Sequence, residues 1–333
     1  SGETALCNLC DLAQARQPGE KFLFPYMYGA LPIQMAARSA DVVHIANSWY
    51  AHLIPLLRCP TVVTCHDLIQ VPGSAASRAA YRFHRRAHVR AAARSMRRAT
   101  AVVCDSKAVA DRLISVFPEL SARTHVVYLG IGAQFTPGAP QTKALAGLGV
   151  RWPYILYVGS EQPRKNLATL VAAFARARQR IPELQLVKVG KHQNAAGRAH
   201  LMHDLAASGS LEHAVVLDSV TDEQLVGLYR GATASALLSL DEGFGFPALE
   251  AMACGCPTLL SNAPALVEVA GGAAVIVDAM DVTAVAKTIV RLCADADFRQ
   301  DVGERGLGRA RHFTWARAAS EYGVVYRSVV DSA

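Results

Sequence analysis

Ten short runs of β-branched and apolar residues recur along the chain, each separated from the next by a segment of helical character. The first four occupy residues 42–45, 61–64, 101–104 and 125–128. The other six occupy 154–158, 184–189, 215–217, 235–238, 258–260 and 274–277. Such runs are apolar on both faces, which is the pattern of strands in a parallel sheet covered by helices on each side. Two series in one chain of 333 residues imply two doubly wound α/β domains, since that length supports two cores of ordinary size. The seam is expected within residues 130–153, where Gly132, Pro137, Gly138, Pro140, Gly147 and Gly149 cluster. Ligands of open α/β sheets bind beyond the carboxyl ends of the strands, so the expected site is the cleft between the two sheets.

The helical segments carry the charge pattern. No acidic residue lies between Asp67 and Asp105, while Arg78, Arg82, Arg86, Arg90, Arg94 and Arg97 recur three or four apart. On a helix they would form one basic stripe down to Arg98. A solvated face, an anionic membrane or lipid-pyrophosphate surface, and nucleic acid all stay open as its partner. Nucleic acid is disfavoured, because no aromatic platform accompanies the arginines. No apolar run approaches the roughly 18–20 residues of a membrane-spanning helix. Cys7 and Cys10 make one C-x-x-C pair without a second pair at zinc spacing, and are read as buried thiols on a helix face. Several of the eight cysteines sit beside apolar strands, which suits a reducing, cytoplasmic compartment.

Residues 239–257 carry the most chemistry. Pro247 suits a first helical position and Gly255 the residue just past a helix end, giving a helix of about two turns. Gly243 and Gly245 ahead of it let the backbone approach a ligand closely. Free amides at that helix start form an anion site suited to a diphosphate. Glu250 lies in the opening turn and tilts back toward the start, within reach of ribose or sugar hydroxyls. A second segment, residues 157–166, joins a strand to a helix with apolar positions Leu167, Leu170, Val171 and Phe174. Asn166 is its expected N-cap, and Arg164 with Lys165 would neutralise a diphosphate as fork and point charge.

These segments resemble glycosyltransferase family 4, whose members have the GT-B fold of two Rossmann-like domains facing a cleft. The resemblance rests on Glu242 and Glu250 placed eight apart around Gly243-Phe244-Gly245-Phe246-Pro247, and on Pro163-Arg164-Lys165-Asn166. Weaker matches are residues 64–68 with His66, residues 103–107, residues 260–262 with Glu268, and Phe313-Thr314-Trp315. The resemblance implies an acceptor-side domain over 1–138, a nucleotide-sugar domain over 139–315 and a closing helix over 316–333. It implies that Glu250 binds ribose, Glu242 a sugar hydroxyl, and the backbone of Gly243, Phe244, Gly245 and Phe246 the sugar and distal phosphate. Arg164 and Lys165 would stabilise the departing diphosphate, His66 would face the sugar, and Gly190 and Val220 would flank the base.

The implied reaction is a retaining hexosyl transfer from a GDP- or UDP-sugar, mannose favoured, to a polysaccharide or polyprenyl-linked glycan. It would need no metal and no cofactor, at the inner face of a membrane. A nucleotide-sugar epimerase, a phosphorylase and a non-catalytic basic binder are the alternatives. The chain departs from the family at Ser160, where many relatives carry arginine. Its opening, Ser1-Gly2-Glu3-Thr4, resembles the end of a loop whose preceding strand is expected to be missing.

Overall fold

In the computed structural model the described residues are 40–68, 93–140, 145–191 and 195–332. They form two parallel sheets. The first holds β1 (Val43–Ile45), β2 (Thr61–Cys65), β3 (Ala101–Cys104) and β4 (Thr124–Val126) in sequence order. The second holds β5 (Tyr154–Val158), β6 (Gln185–Val189), β7 (Ala214–Leu217), β8 (Ala234–Leu237), β9 (Thr258–Ser261) and β10 (Val275–Val277). Its order is β10-β9-β8-β5-β6-β7, so the chain winds outward from β5 to one edge and from β8 to the other. That reversal between β5 and β8 is the topological switch point where open α/β sheets take ligands. Residues 1–39, the Cys7–Cys10 pair and the expected missing strand lie outside the described residues.

Each strand overlaps its predicted run, and the inner strands are buried on both faces by helices while β1, β4, β7 and β10 stay partly exposed. β2, β3, β5, β6, β8 and β9 are buried along nearly their whole length. In the second domain Tyr157, Phe174, Leu186 and Leu266 belong to one core on one side of the sheet, and Tyr154, Leu156, Tyr229 and Met252 to another. Near-continuous burial removes any solvent face along which the strands could slip in register.

Five helices bear on the site: α1 (Lys107–Val116), α2 (Leu167–Arg178), α4 (Asp222–Gly231), α5 (Phe246–Ala253) and α6 (Pro264–Ala270). α3 (Ala195–Ala207), α7 (Val282–Ala294) and α8 (Ala296–Ala310) cover the second sheet. α9 (Trp315–Asp331) lies on the first sheet, with Ala318, Val325 and Val329 packed against Val62 and Val103. It is also hydrogen-bonded there, Tyr322 to Thr64 at 3.0 Å and Tyr326 to His44 at 2.8 Å.

One local expectation is corrected. Asn166 occupies the N-cap position of α2 but adopts a left-handed conformation, φ 55°, and its side chain caps nothing. Its amide instead donates to the Ala279 carbonyl at 2.7 Å, tying α2 to the loop after β10. At the end of the basic stripe, Arg97 pairs with Glu119 at 2.7 Å and lies 4.9 Å over the Phe117 ring. That arginine is spent on the N-domain's own surface. Arg78, Arg82, Arg86 and Arg90 lie outside the described residues.

Candidate active site

Strand register places the first half of the site. Cys65 of β2 and Cys104 of β3 are direct partners, so the next residues, His66 and Asp105, leave the sheet side by side. The imidazole Nδ1 of His66 and the Asp105 carboxylate are 2.6 Å apart, and Nε2 lies 2.8 Å from the Ala46 carbonyl. The hydrogen bond that the imidazole donates to the Asp105 carboxylate raises the His66 pKa above its ordinary value, against the lowering effect of burial. Asp105 has no role in the sequence reading; the shared pattern of a cysteine followed by a polar residue at two neighbouring strand ends is the signal that would have found it.

The second half lies beyond β5 and β8, at the switch point. Leu240 donates its amide to the Arg164 carbonyl at 2.7 Å, which lays the loop after β8 on the loop after β5. Glu242 is thereby brought to both cations: Oε1 is 2.5 Å from Lys165 Nζ and Oε2 is 3.1 Å from Arg164 Nη1. Ser239 donates to the same carboxylate at 2.7 Å. Burial alone would push the Glu242 carboxyl up, but the Lys165 and Arg164 charges outweigh it and hold it below its ordinary range. Burial pulls the Lys165 ammonium down, opposed by Glu242. The sequence reading gives these three residues separate duties; the structure makes them one buried ionic cluster. Arg164 spends Nε on Gln162 and Nη1 on Glu242 and the Asp241 carbonyl. Its Nη2 has no partner among the described residues, so the fork keeps donors for an anion.

α5 begins beside this cluster. Gly245, its N-cap, has φ +99°, a conformation that glycine adopts without steric cost, and no side chain caps the helix. Phe244 is buried, edge-to-face with Phe246 at 5.4 Å and Phe313 at 5.9 Å, so its ring anchors the loop. Glu250 sits one turn into α5 and accepts from the buried Tyr229 hydroxyl at 2.8 Å. Burial raises its pKa, with Tyr229 opposing. Its other oxygen has no partner among the described residues. Glu242 and Glu250 thus occupy different surroundings: one is neutralised by cations and the other is held by a phenol.

Gly190 and Val220 follow β6 and β7. The ammonium of Lys188 donates to the Gly190 carbonyl and pairs with buried Glu161 at 2.6 Å. Arg198 extends the network to Glu161 at 2.7 Å and Asp218 at 2.5 Å. This fixes the strand ends flanking the expected base position, and was not foreseen.

The two halves meet at Gly243. A Cβ there would stand 1.9 Å from the His66 carbonyl oxygen, so the glycine is required because the opposite domain's backbone approaches it. Ser106 Oγ donates to the Gly243 carbonyl at 2.7 Å, and Arg112 pairs with Asp241 at 2.8 Å. A cavity of about 260 Å³ lies along this seam, lined by Asp67, Ala108, Arg112, Asp241 and Glu242 among others.

Two parallel-sheet domains meeting at the carboxyl ends of their strands, with a cation-held glutamate before a glycine-started helix, define a GT-B glycosyltransferase architecture. Residues 147–309 match the family described as glycosyl transferases group 1, and residues 12–135 match glycosyltransferase family 4. D-inositol 3-phosphate glycosyltransferase of Salinispora arenicola is 30% identical over 96% of this chain and 75% of its own length. O-antigen chain mannosyltransferase B of Escherichia coli is 30% identical over 63% of this chain. The chain spans 56% of that protein, and 37% of the E. coli serotype-specific mannosyltransferase WbdA. Among solved structures, sucrose-phosphate synthase of Thermosynechococcus elongatus superposes with a TM-score of 0.77 at 26% identity, over 96% of this chain and 81% of that one. HepE of Anabaena, solved with UDP and glucose, gives a TM-score of 0.78 at 18% identity over 93% and 83%, a likeness of fold. The chain belongs to the family 4 glycosyltransferases.

Proposed function

We propose that the chain transfers a hexose from a nucleoside-diphosphate sugar to a polysaccharide or polyprenyl-linked glycan, with retention of anomeric configuration and without a bound metal. The observation that carries this reading is the Glu242 cluster at the start of α5 with Glu250 one turn beyond. Breaking the sugar–phosphate bond builds negative charge on the diphosphate. Arg164, Lys165 and the uncapped start of α5 are positioned to stabilise that charge without reorganisation. Glu242, oriented by the same cations, takes a sugar hydroxyl, and Glu250 with its unpartnered oxygen takes the ribose. The backbone carbonyl of His66 meets Gly243 across the cleft, and we assign its imidazole, held by Asp105 and the Ala46 carbonyl, to the sugar end. The leaving phosphate takes the acceptor's proton, so no protein nucleophile is needed.

Two of the relatives are mannosyltransferases, which supports mannose as the transferred sugar. The relatives named above are transferases, which favours transfer over the epimerase and phosphorylase readings. Among the described residues no helix is long and apolar enough to cross a membrane. Contact with an anionic membrane surface through the basic stripe from Arg78 to Arg98 belongs to the same proposal, and liposome co-sedimentation tests it. The transfer reading is tested by a donor screen with GDP-mannose, UDP-glucose and UDP-galactose on a lipid-linked glycan, with product anomers assigned by NMR. Inverted product, or turnover of no donor, contradicts it.

A further inference from the structure

Helix α1 begins immediately after Asp105 and Ser106, the turn that orients His66. The first amides of a helix lack partners inside it. Here the third, Val109 N–H, is taken by the Ser106 hydroxyl at 3.2 Å. The first two are taken from the other domain: Lys107 and Ala108 donate to the two oxygens of Glu268 at 2.6 and 2.8 Å. Tyr128 donates a third hydrogen bond to Glu268, at 2.8 Å. α1 has no acidic residue in its own first turn, so the negative charge that complements its dipole is supplied by α6 of the donor domain.

This contact is linked to the chemistry through very few bonds. Along four consecutive residues, Asp105 holds His66, Ser106 holds the Gly243 carbonyl, and Lys107 and Ala108 hold Glu268. The Arg112–Asp241 pair, one turn further along α1, adds a second ionic tie next to Glu242. The carboxylate of Glu268 therefore reaches the same turn that aims the imidazole, while standing apart from the Glu242 and Glu250 contacts.

We propose that Glu268 is a positioning residue for sugar transfer: by capping α1 across the cleft it docks the donor domain against the Asp105–Ala108 turn and so sets His66 over the donor site. The inference rests on His66 facing the donor sugar. Glu268 touches neither donor nor acceptor on this account. Its loss lowers the rate of the chemical step and leaves the nucleotide-binding surface of the second domain as it was.

The test compares full-length wild type with Glu268→Ala, Glu268→Gln and Tyr128→Phe. Three quantities are measured: kcat with the preferred donor, the Kd for GDP and UDP by calorimetry, and the radius of gyration by X-ray scattering. Glu268→Ala is expected to lower kcat at least tenfold, to leave the nucleotide Kd within about twofold, and to enlarge the radius of gyration. Glu268→Gln, which keeps one acceptor, and Tyr128→Phe, which removes one donor, fall between it and wild type. A kcat within twofold of wild type for Glu268→Ala overturns the proposal. So does a loss of nucleotide affinity as large as the loss of kcat, because Glu268 would then act on the donor domain itself. If wild type turns over no donor, the transfer reading fails separately, and an unchanged radius of gyration in Glu268→Ala still overturns the docking role.

Discussion

At the scale of single residues, the ionic cluster decides most. Glu242, Lys165 and Arg164 are buried together, and removing one partner of such a group leaves charge uncompensated at a cost of about 3–5 kcal/mol. Glu242→Ala is therefore expected to lower both turnover, by at least tenfold or about 1.4 kcal/mol, and stability, by about 3–5 kcal/mol. Replacing Lys165 by Met in the same chain should restore part of the stability and none of the turnover, which urea titration and donor kinetics read separately. Asp105→Asn makes a cleaner test of the His66 pair. It should return the imidazole pKa toward its ordinary value, measured on the His66 C2 proton by NMR; an unmoved titration would remove Asp105 as the cause. Glu242, Lys165 and Arg164 are all legible in the sequence as candidates, because glycine turns and cations at strand ends are local signals. Their pairing is not. Lys165 and Glu242 lie 77 positions apart, and only the adjacency of β5 and β8 brings them together.

At the scale of elements, the six inner strands β2, β3, β5, β6, β8 and β9 are legible because burial on both faces forces continuous apolar runs, and α5 because glycine and proline mark its two ends. The N-cap expectation at Asn166 failed for a physical reason: a tertiary partner, the Ala279 carbonyl, outcompetes the local amide. The packing of α9 on the first sheet carries a pH dependence. His44 lies between Thr64 and Tyr326, and burial, with the His66 charge adding to it, lowers its pKa to about 4. A base whose folded pKa is lowered favours the neutral form. Its contribution is complete above the unfolded value near 6.5 and is lost as pH falls through that value toward 4. Unfolding free energy should therefore fall by at most about 3 kcal/mol between pH 7 and pH 4 from this group. In His44→Gln that part of the slope should vanish; a profile parallel to wild type would show that the histidine is not responsible. A Gly243→Ala change tests the seam in the same way. Its Cβ cannot coexist with the His66 carbonyl 1.9 Å away, so the domains must part, and turnover should fall at least tenfold while the two cores keep their melting temperature to within a few degrees.

At the scale of the whole molecule, a donor domain built on the order β10-β9-β8-β5-β6-β7 meets a second sheet at the carboxyl ends of its strands. The cleft location follows from sheet topology and was legible from the alternation of strands and helices. The contacts that close it, Glu268 to α1 and Ser106 to Gly243, join residues more than a hundred positions apart and have no local signature. The central claim is that the two glutamates bounding the glycine loop divide the donor between them, Glu250 holding the nucleoside and Glu242 the sugar. Calorimetry with GDP and UDP on wild type, Glu250→Ala and Glu242→Ala tests that division most directly. Glu250→Ala should weaken nucleotide binding at least tenfold, about 1.4 kcal/mol, while Glu242→Ala leaves it within about threefold and yet loses turnover. Equal losses of nucleotide affinity in both variants, or none in either, would contradict the account.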